Sequence, residues 1–242
     1  MATLLPLQSF TGSNGSALPS GSNSGFINGA IPTGGSATIQ SNAAQLITGT
    51  TGGYAGASRV SQVANLSTAP ANAVWKSKIR LSADEVYPQC YVRGGGSTLD
   101  TQFGYRVALD HVGDTWEVAT VSAYNQVPIV TATPFSWVTN ADYWIIFGAV
   151  GTDLRFKVWK DGAPEPNYAA VGSPTSQTLS LTDSSVTAAG LLGMTVAVGN
   201  LGNGVFTFDE VEIFDAFPPT PPVMSQAMTR PSGAALVRAG SW

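Results

Sequence analysis

Apolar and polar residues alternate strictly from 154 to 159. Leu154, Phe156 and Val158 fall on one face, and Arg155, Lys157 and Trp159 fall on the other. A period of two is the mark of a strand with one buried side. Lys160, Asp161 and Gly162 then supply an Asp-Gly turn, and Pro164 and Pro166 stop the ladder from continuing. Residues 75–81 repeat the pattern, with Trp75, Ile79 and Leu81 inward and Lys76, Lys78 and Arg80 outward. So do 104–110, through Tyr105, Val107 and Leu109, and 116–120, through Trp116, Val118 and Thr120; the Gly113-Asp114 turn between them predicts a hairpin.

Two runs, 142–150 and 191–198, are apolar on both faces, which predicts central strands covered on each side. The glycines of 199–204 mark a sharp loop before a last strand that ends at about Phe217. There is no long amphipathic helix. At most a short helical turn is expected at 182–186, where Thr182 and Asp183 could cap it. Short strands separated by turn residues predict an all-β, two-sheet antiparallel sandwich.

Charge is sparse along this chain. Only 11% of the 242 residues are charged, against 43% hydrophobic, where about 25% charged is usual for soluble domains. Some of the surface is therefore expected to rest against other protein, copies of this chain included. No Asp, Glu, Lys or Arg precedes Arg59, yet this region carries Leu4, Leu5, Phe10, Phe26, Ile27, Ile31, Ile39, Leu46 and Ile47. It reads as packed into the domain, the alternative being a low-complexity flexible arm. The sandwich is thus expected to occupy 1–217.

Pro218, Pro219, Pro221 and Pro222 impose a stiff, extended spacer. Beyond it Met224, Met228, Leu236 and Trp242, with Arg230 and Arg238 as the only charges, form a sticky, weakly basic tail over 218–242. It reads either as a docking arm for assembly or as a frayed terminus.

The net charge of −4 and the dispersal of the cations argue against nucleic acid as a partner. Cys90 is the only cysteine, so no internal disulfide supports the fold, and alternation places it inward with Val92. The start of the chain lacks the pattern of a secretory signal, and no segment approaches the ~20 apolar residues of a membrane span. The expectation is a protein made in a cytoplasm that leaves it, if at all, as part of a particle.

Catalytic chemistry is sparse. His111 is the only histidine, no Gly-x-Ser-x-Gly elbow is present, and zinc of the usual kind would need more His and Cys ligands than one of each. Asp110, Asp114, Asp153, Asp161 and Asp183 lie in or near turns but form no recognisable calcium loop, so no metal and no cofactor is expected. Glycoside hydrolysis needs a pair of carboxylates. Glu210 and Glu212, beside Asp209, share a strand face at about 7 Å. Carbohydrate binding is better supported, because Trp159 can stack on a sugar ring while Arg155 and Lys157 bond its hydroxyls. Arg106, with Tyr91 and Arg93, could join them from a neighbouring strand. The competing account packs Trp159 beneath a loop and leaves the cations to solvate the outer face.

The stretch Arg155-x-Lys157-x-Trp159 leading into Gly162-x-Pro164-Glu165-Pro166 resembles a motif of the laminin-G/concanavalin-like jelly-roll domains found in virion proteins of tailed phages that infect actinobacteria. Residues 10–21 resemble that family's opening segment and residues 206–215 its closing strand. In relatives a tryptophan follows the opening segment, whereas Ser22, Asn23, Ser24 and Gly25 follow it here. The resemblance implies a jelly roll and a non-enzymatic structural role in a virion as a minor tail protein, with other virion proteins as partners and host-surface glycans as ligand. A capsid decoration or head-fibre protein is the alternative within that class. A glycan-cleaving hydrolase, whose glucanase relatives carry a Glu-x-Asp-x-Glu array absent here, is the alternative outside it.

Overall fold

The computed structural model describes residues 1–18, 26–28, 36–47, 60–64, 69–81, 86–94, 103–111, 113–122, 125–168, 176–198 and 205–219. Apart from Pro218 and Pro219, the expected docking arm, with Met224, Met228, Arg230, Leu236, Arg238 and Trp242, lies outside the described residues.

The described chain forms strands and no helix, arranged as a two-sheet antiparallel jelly roll. One sheet holds β1 (Thr3–Gln8), β3 (Ser36–Gln40), β4 (Ala43–Ile47), β6 (Ala73–Leu81), β11 (Asp142–Val150), β12 (Asp153–Lys160), β13 (Ser176–Thr182) and β15 (Val205–Phe214). Its order is β13-β12-β11-β6-β15-β4-β3, with β1 also paired to β15. The facing sheet holds β2 (Phe26–Asn28), β5 (Val60–Ala64), β7 (Val86–Gly94), β8 (Phe103–Asp110), β9 (Thr115–Ser122), β10 (Asn125–Pro134) and β14 (Leu191–Val198), in the order β10-β9-β8-β7-β14-β5-β2.

Alternation builds the core between them. Trp75, Ile79 and Leu81 of β6, Leu154, Phe156 and Val158 of β12, and Tyr105, Val107 and Leu109 of β8 all turn inward and are buried. Each such large side chain contributes roughly 1.5–3 kcal/mol through burial. Trp116 of β9 meets Phe156 across the interior at 4.9 Å between ring centroids, tying the two sheets together. Cys90 and Val92 are buried in the same core. Ser77 is the polar exception on β6, and it is satisfied because the Trp75 indole donates to its hydroxyl at 2.9 Å. The hairpin of β8 and β9 closes at Asp110 and Thr115, and β11 lies between β12 and β6 with both faces covered from Ile145 to Ala149.

Two local features differ from the sequence reading. Residues 182–186 make no helical turn; instead the Asp183 carboxylate accepts the Ser185 amide at 2.8 Å, an Asx-type turn that competes with helix. In β15 the register slips between Asp209 and Glu212, with Glu210 at a φ of 50°. That bulge moves the inward set from Phe206 and Phe208 to Val211 and Ile213, and leaves Asp209 as well as Glu212 on the outer side.

Candidate functional site

The outer face of β12 is closed. After Gly162, whose φ of 83° makes the turn, residues 163–168 fold back over it as a strap. Lys157 is 0% exposed and bonds Glu165 at 2.8 Å, while its ammonium sits 3.9 Å from the centre of the Tyr168 ring. Trp159 is 5% exposed and stacks on Trp144, with ring planes 17° apart. Arg155 bonds Asp153 at 2.9 Å and lies over the Tyr168 and Phe217 rings at 5.2 and 4.7 Å. Of the expected sugar-facing trio, Lys157 and Trp159 therefore face the strap, and Arg155 keeps only part of its surface.

Arg106 does not join them. It belongs to β8, in the seven-stranded sheet, whereas β12 has β11 and β13 as neighbours in the other. Its guanidinium is 3% exposed and paired with Glu117 of β9. Tyr91 is buried on the same outer side, with its hydroxyl donating to Gln89 at 2.6 Å. Arg93 sits at one end of the sandwich, donating to backbone carbonyls. Sequence alternation says which side of its own strand a residue takes; it does not say which sheet the strand enters.

The expected combination of cations and an indole does occur, on the two strands beyond β12. On the outer face of the eight-stranded sheet Trp144 of β11 lies opposite Lys78 of β6. The Lys76 and Lys78 ammonium groups approach its ring at 5.1 and 5.8 Å. Its indole nitrogen donates to Asp161 at 2.8 Å. Lys78 also bonds Asp161 at 2.8 Å, and that hydrogen bond raises the lysine's pKa and lowers the carboxylate's. Between Trp159, the lysines and Asp161, this indole is engaged by protein groups.

Beside it a groove of about 440 Å³ opens across β11, β6, β15 and β4. The register sets one row of outward side chains straight across it: Asp142 opposite Arg80, Arg80 opposite Thr207, and Thr207 opposite Gln45. Arg80 forks onto Asp142 through Nε at 2.7 Å and Nη2 at 2.8 Å, a hydrogen bond that raises the pKa of the guanidinium. Lys78 and Asp209 form the next row, and Glu210 reaches within 3.9 Å of Lys78 because the bulge re-aims it. Gln40, Ser41 and Asn140 complete the polar lining. Ser41 and Asn42, at φ of 52° and 61°, make the two-residue turn that brings the β3–β4 hairpin to the groove's rim.

The carboxylates weighed for hydrolysis are held by lysines: Glu212 by Lys76 at 3.2 Å, and Glu210 facing Lys78. The turn aspartates are engaged too, Asp110 with the Gly113 amide at 2.8 Å and Asp114 with the Trp137 amide at 3.0 Å. Among the described residues no group of three or more His, Cys, Asp and Glu side chains is placed to hold a metal ion. His111 lies 3.2 Å from the Thr139 hydroxyl, outside the groove.

No protein-family model and no curated protein sequence matches this chain. Solved structures do. The carbohydrate binding module CBM66 from Bacillus subtilis superposes with a TM-score of 0.52 at 15% identity, covering 80% of this chain and 98% of the module. The exoplasmic/lumenal domain of VIP36 in its Ca2+/Man-bound form gives 0.53 at 9% identity, over 81% and 85%. Winged bean acidic lectin, complexed with methyl-α-D-galactose, gives 0.52 at 9% identity, over 86% and 97%. At these identities the likeness is one of fold: a lectin-like jelly roll.

The groove residues Gln40, Gln45, Asn140, Asp142 and Thr207 were not singled out from sequence. One signal was present: cations at alternate positions of β6 must meet something on adjacent strands. Naming Asp142 and Thr207 as their partners required the register.

Proposed function

We propose that this protein is a non-enzymatic carbohydrate-binding jelly roll whose ligand lies in the groove across β11, β6, β15 and β4. The observation that carries this reading is the groove's lining. Amides of Gln40, Gln45 and Asn140, hydroxyls of Ser41 and Thr207, and carboxylates of Asp142, Asp209 and Glu210 place donors and acceptors in one cleft. A polyhydroxylated ring needs that mixture, since each hydroxyl both donates and accepts. The fold is shared with a carbohydrate binding module, with a VIP36 domain in its Ca2+/Man-bound form and with a lectin complexed with methyl-α-D-galactose, which supports the same reading. A glycan array probed with the native protein and with Asp142→Ala tests it. We expect binding that falls about tenfold in the variant, the size of one lost charged hydrogen bond; silence of the native protein across the array removes the proposal.

The finer reading places the domain on a tailed phage particle, made in the host cytoplasm and carried on the virion as a minor tail protein. It rests on the sequence resemblance of residues 10–21, 155–166 and 206–215 and on the low charge of the chain. Its partners would be other virion proteins and further copies of itself. Weak single-site affinity then suffices, because many copies raise avidity without new contacts. Electron cryomicroscopy of the particle is expected to show this fold on the tail. Density on the capsid surface would make it a decoration protein, and absence from purified particles would end the virion reading.

A further inference from the structure

Resting on the carbohydrate reading, we infer that the groove takes an uncharged, linear glycan laid across the strands, with successive sugars against successive strands. Three observations lead there. First, Asp142, Arg80, Thr207 and Gln45 form a single row, each residue directly opposite the next on the neighbouring strand. Strands are about 4.8 Å apart, close to the length of one pyranose unit in a chain, so the row of four spans about 14 Å. A chain crossing the strands meets a hydrogen-bonding group at each step, at the Arg80–Asp142 end through the N–H groups and lone pairs that their two mutual bonds leave over, whereas a single terminal sugar would use only part of the row.

Second, the groove's charges disfavour an acidic ligand. Three carboxylates, Asp142, Asp209 and Glu210, line it with two cations, Lys78 and Arg80. Both cations already hold carboxylates: Arg80 grips Asp142 in a two-pronged bond, and Lys78 bonds Asp161 and faces Glu210. A uronic or sialic acid entering here would find its natural partners engaged and Asp209 and Glu210 repelling it.

Third, the adjacent indole is committed to protein. Trp144 is stacked on Trp159, approached by two lysines and bonded to Asp161. Discrimination therefore falls to the polar row, and affinity should accumulate by hydrogen bonds along it.

Titration calorimetry on the full chain tests this with ladders of neutral gluco-, galacto- and manno-oligosaccharides, from mono- to hexasaccharide, and with matched uronate chains. Ladder members of the sugar class that binds on the array should gain affinity up to about the tetrasaccharide, by a few-fold per unit, and then plateau. Gln45→Ala should weaken the tetrasaccharide by about fivefold while changing the disaccharide less than about twofold. Thr207→Val, which keeps the side chain's shape, should behave similarly if Gln45→Ala proves poorly folded. Uronate chains should bind at least about tenfold more weakly, and Asp209→Asn with Glu210→Gln should narrow that gap. Affinity independent of chain length, or uronates bound as well as neutral chains, overturns the inference and leaves the carbohydrate reading standing. Binding of no glycan overturns both.

Discussion

Lys157→Ala is expected to destabilise the domain by about 3–5 kcal/mol, the cost of breaking a buried ion pair and leaving one partner uncompensated. The physical reason is the strap. Lys157 has no exposed surface, and its ammonium bonds Glu165 at 2.8 Å beneath the Tyr168 ring. With the ammonium gone, Glu165, whose side chain is only 19% exposed, is left beside the Tyr168 ring without its partner. A paired replacement, Lys157→Met with Glu165→Leu, should recover most of the loss, because apolar groups of similar volume need no desolvation. Urea midpoints for the three chains measure this. A single variant as stable as the native protein would show that the strap does not depend on this pair, and that Lys157 is available for another role.

The second large effect is expected at Arg93. Its guanidinium donates to three carbonyls from three loops: Ala71 at 2.6 Å, Val186 at 2.7 Å and Gly151 at 2.7 Å. Those loops lead into β6, connect β13 to β14, and join β11 to β12, so one side chain gathers one end of both sheets. Its neighbour Tyr105 extends the set, donating to Asp183 at 2.6 Å and accepting the Val186 amide at 3.0 Å. Burial and the Asp183 bond push the Tyr105 pKa up to about 12, so the hydroxyl stays a donor through the neutral range. Arg93→Met strands three carbonyls at about 1–3 kcal/mol each. A loss of at least about 3 kcal/mol should lower the melting temperature by roughly 10 °C for a domain of this size. Arg93→Lys should rescue little, since a single ammonium cannot fork to three separated acceptors. A thermal scan showing less than about 2 °C of change for Arg93→Met would refute the clasp.

The two predictions bear on function in opposite ways. Loosening the Arg93 clasp acts at one end of the sandwich and should spare the proposed sugar binding in molecules that remain folded. Lifting the strap would uncover Trp159 and with it the stack that holds Trp144 beside Lys78. The groove's electrostatics would then change, because Asp161, which opens the strap's turn, would no longer be fixed against Lys78.

The chain's periodicity was enough to determine its class and much of its core. Strict alternation in β6, β8 and β12 required half-buried strands, and the doubly apolar run of β11 required cover on both sides, because water will not tolerate an exposed face of Ile146 and Trp144 beside a buried one of Ile145 and Phe147. Local chemistry likewise placed the turns at Gly113-Asp114 and Gly162. What alternation leaves open is which strands become neighbours. That depends on pairings between segments far apart in the chain, such as β6 with β15 and β15 with β4, and only packing selects among them. Tertiary structure therefore decided that Arg106 belongs to the other sheet, that the strap covers Lys157 and Trp159, and that Asp142, Arg80, Thr207 and Gln45 line up into a groove. A strand's face is a local property, set by a period of two; a site is a meeting of several strands, and its residues acquire meaning only once the register is fixed.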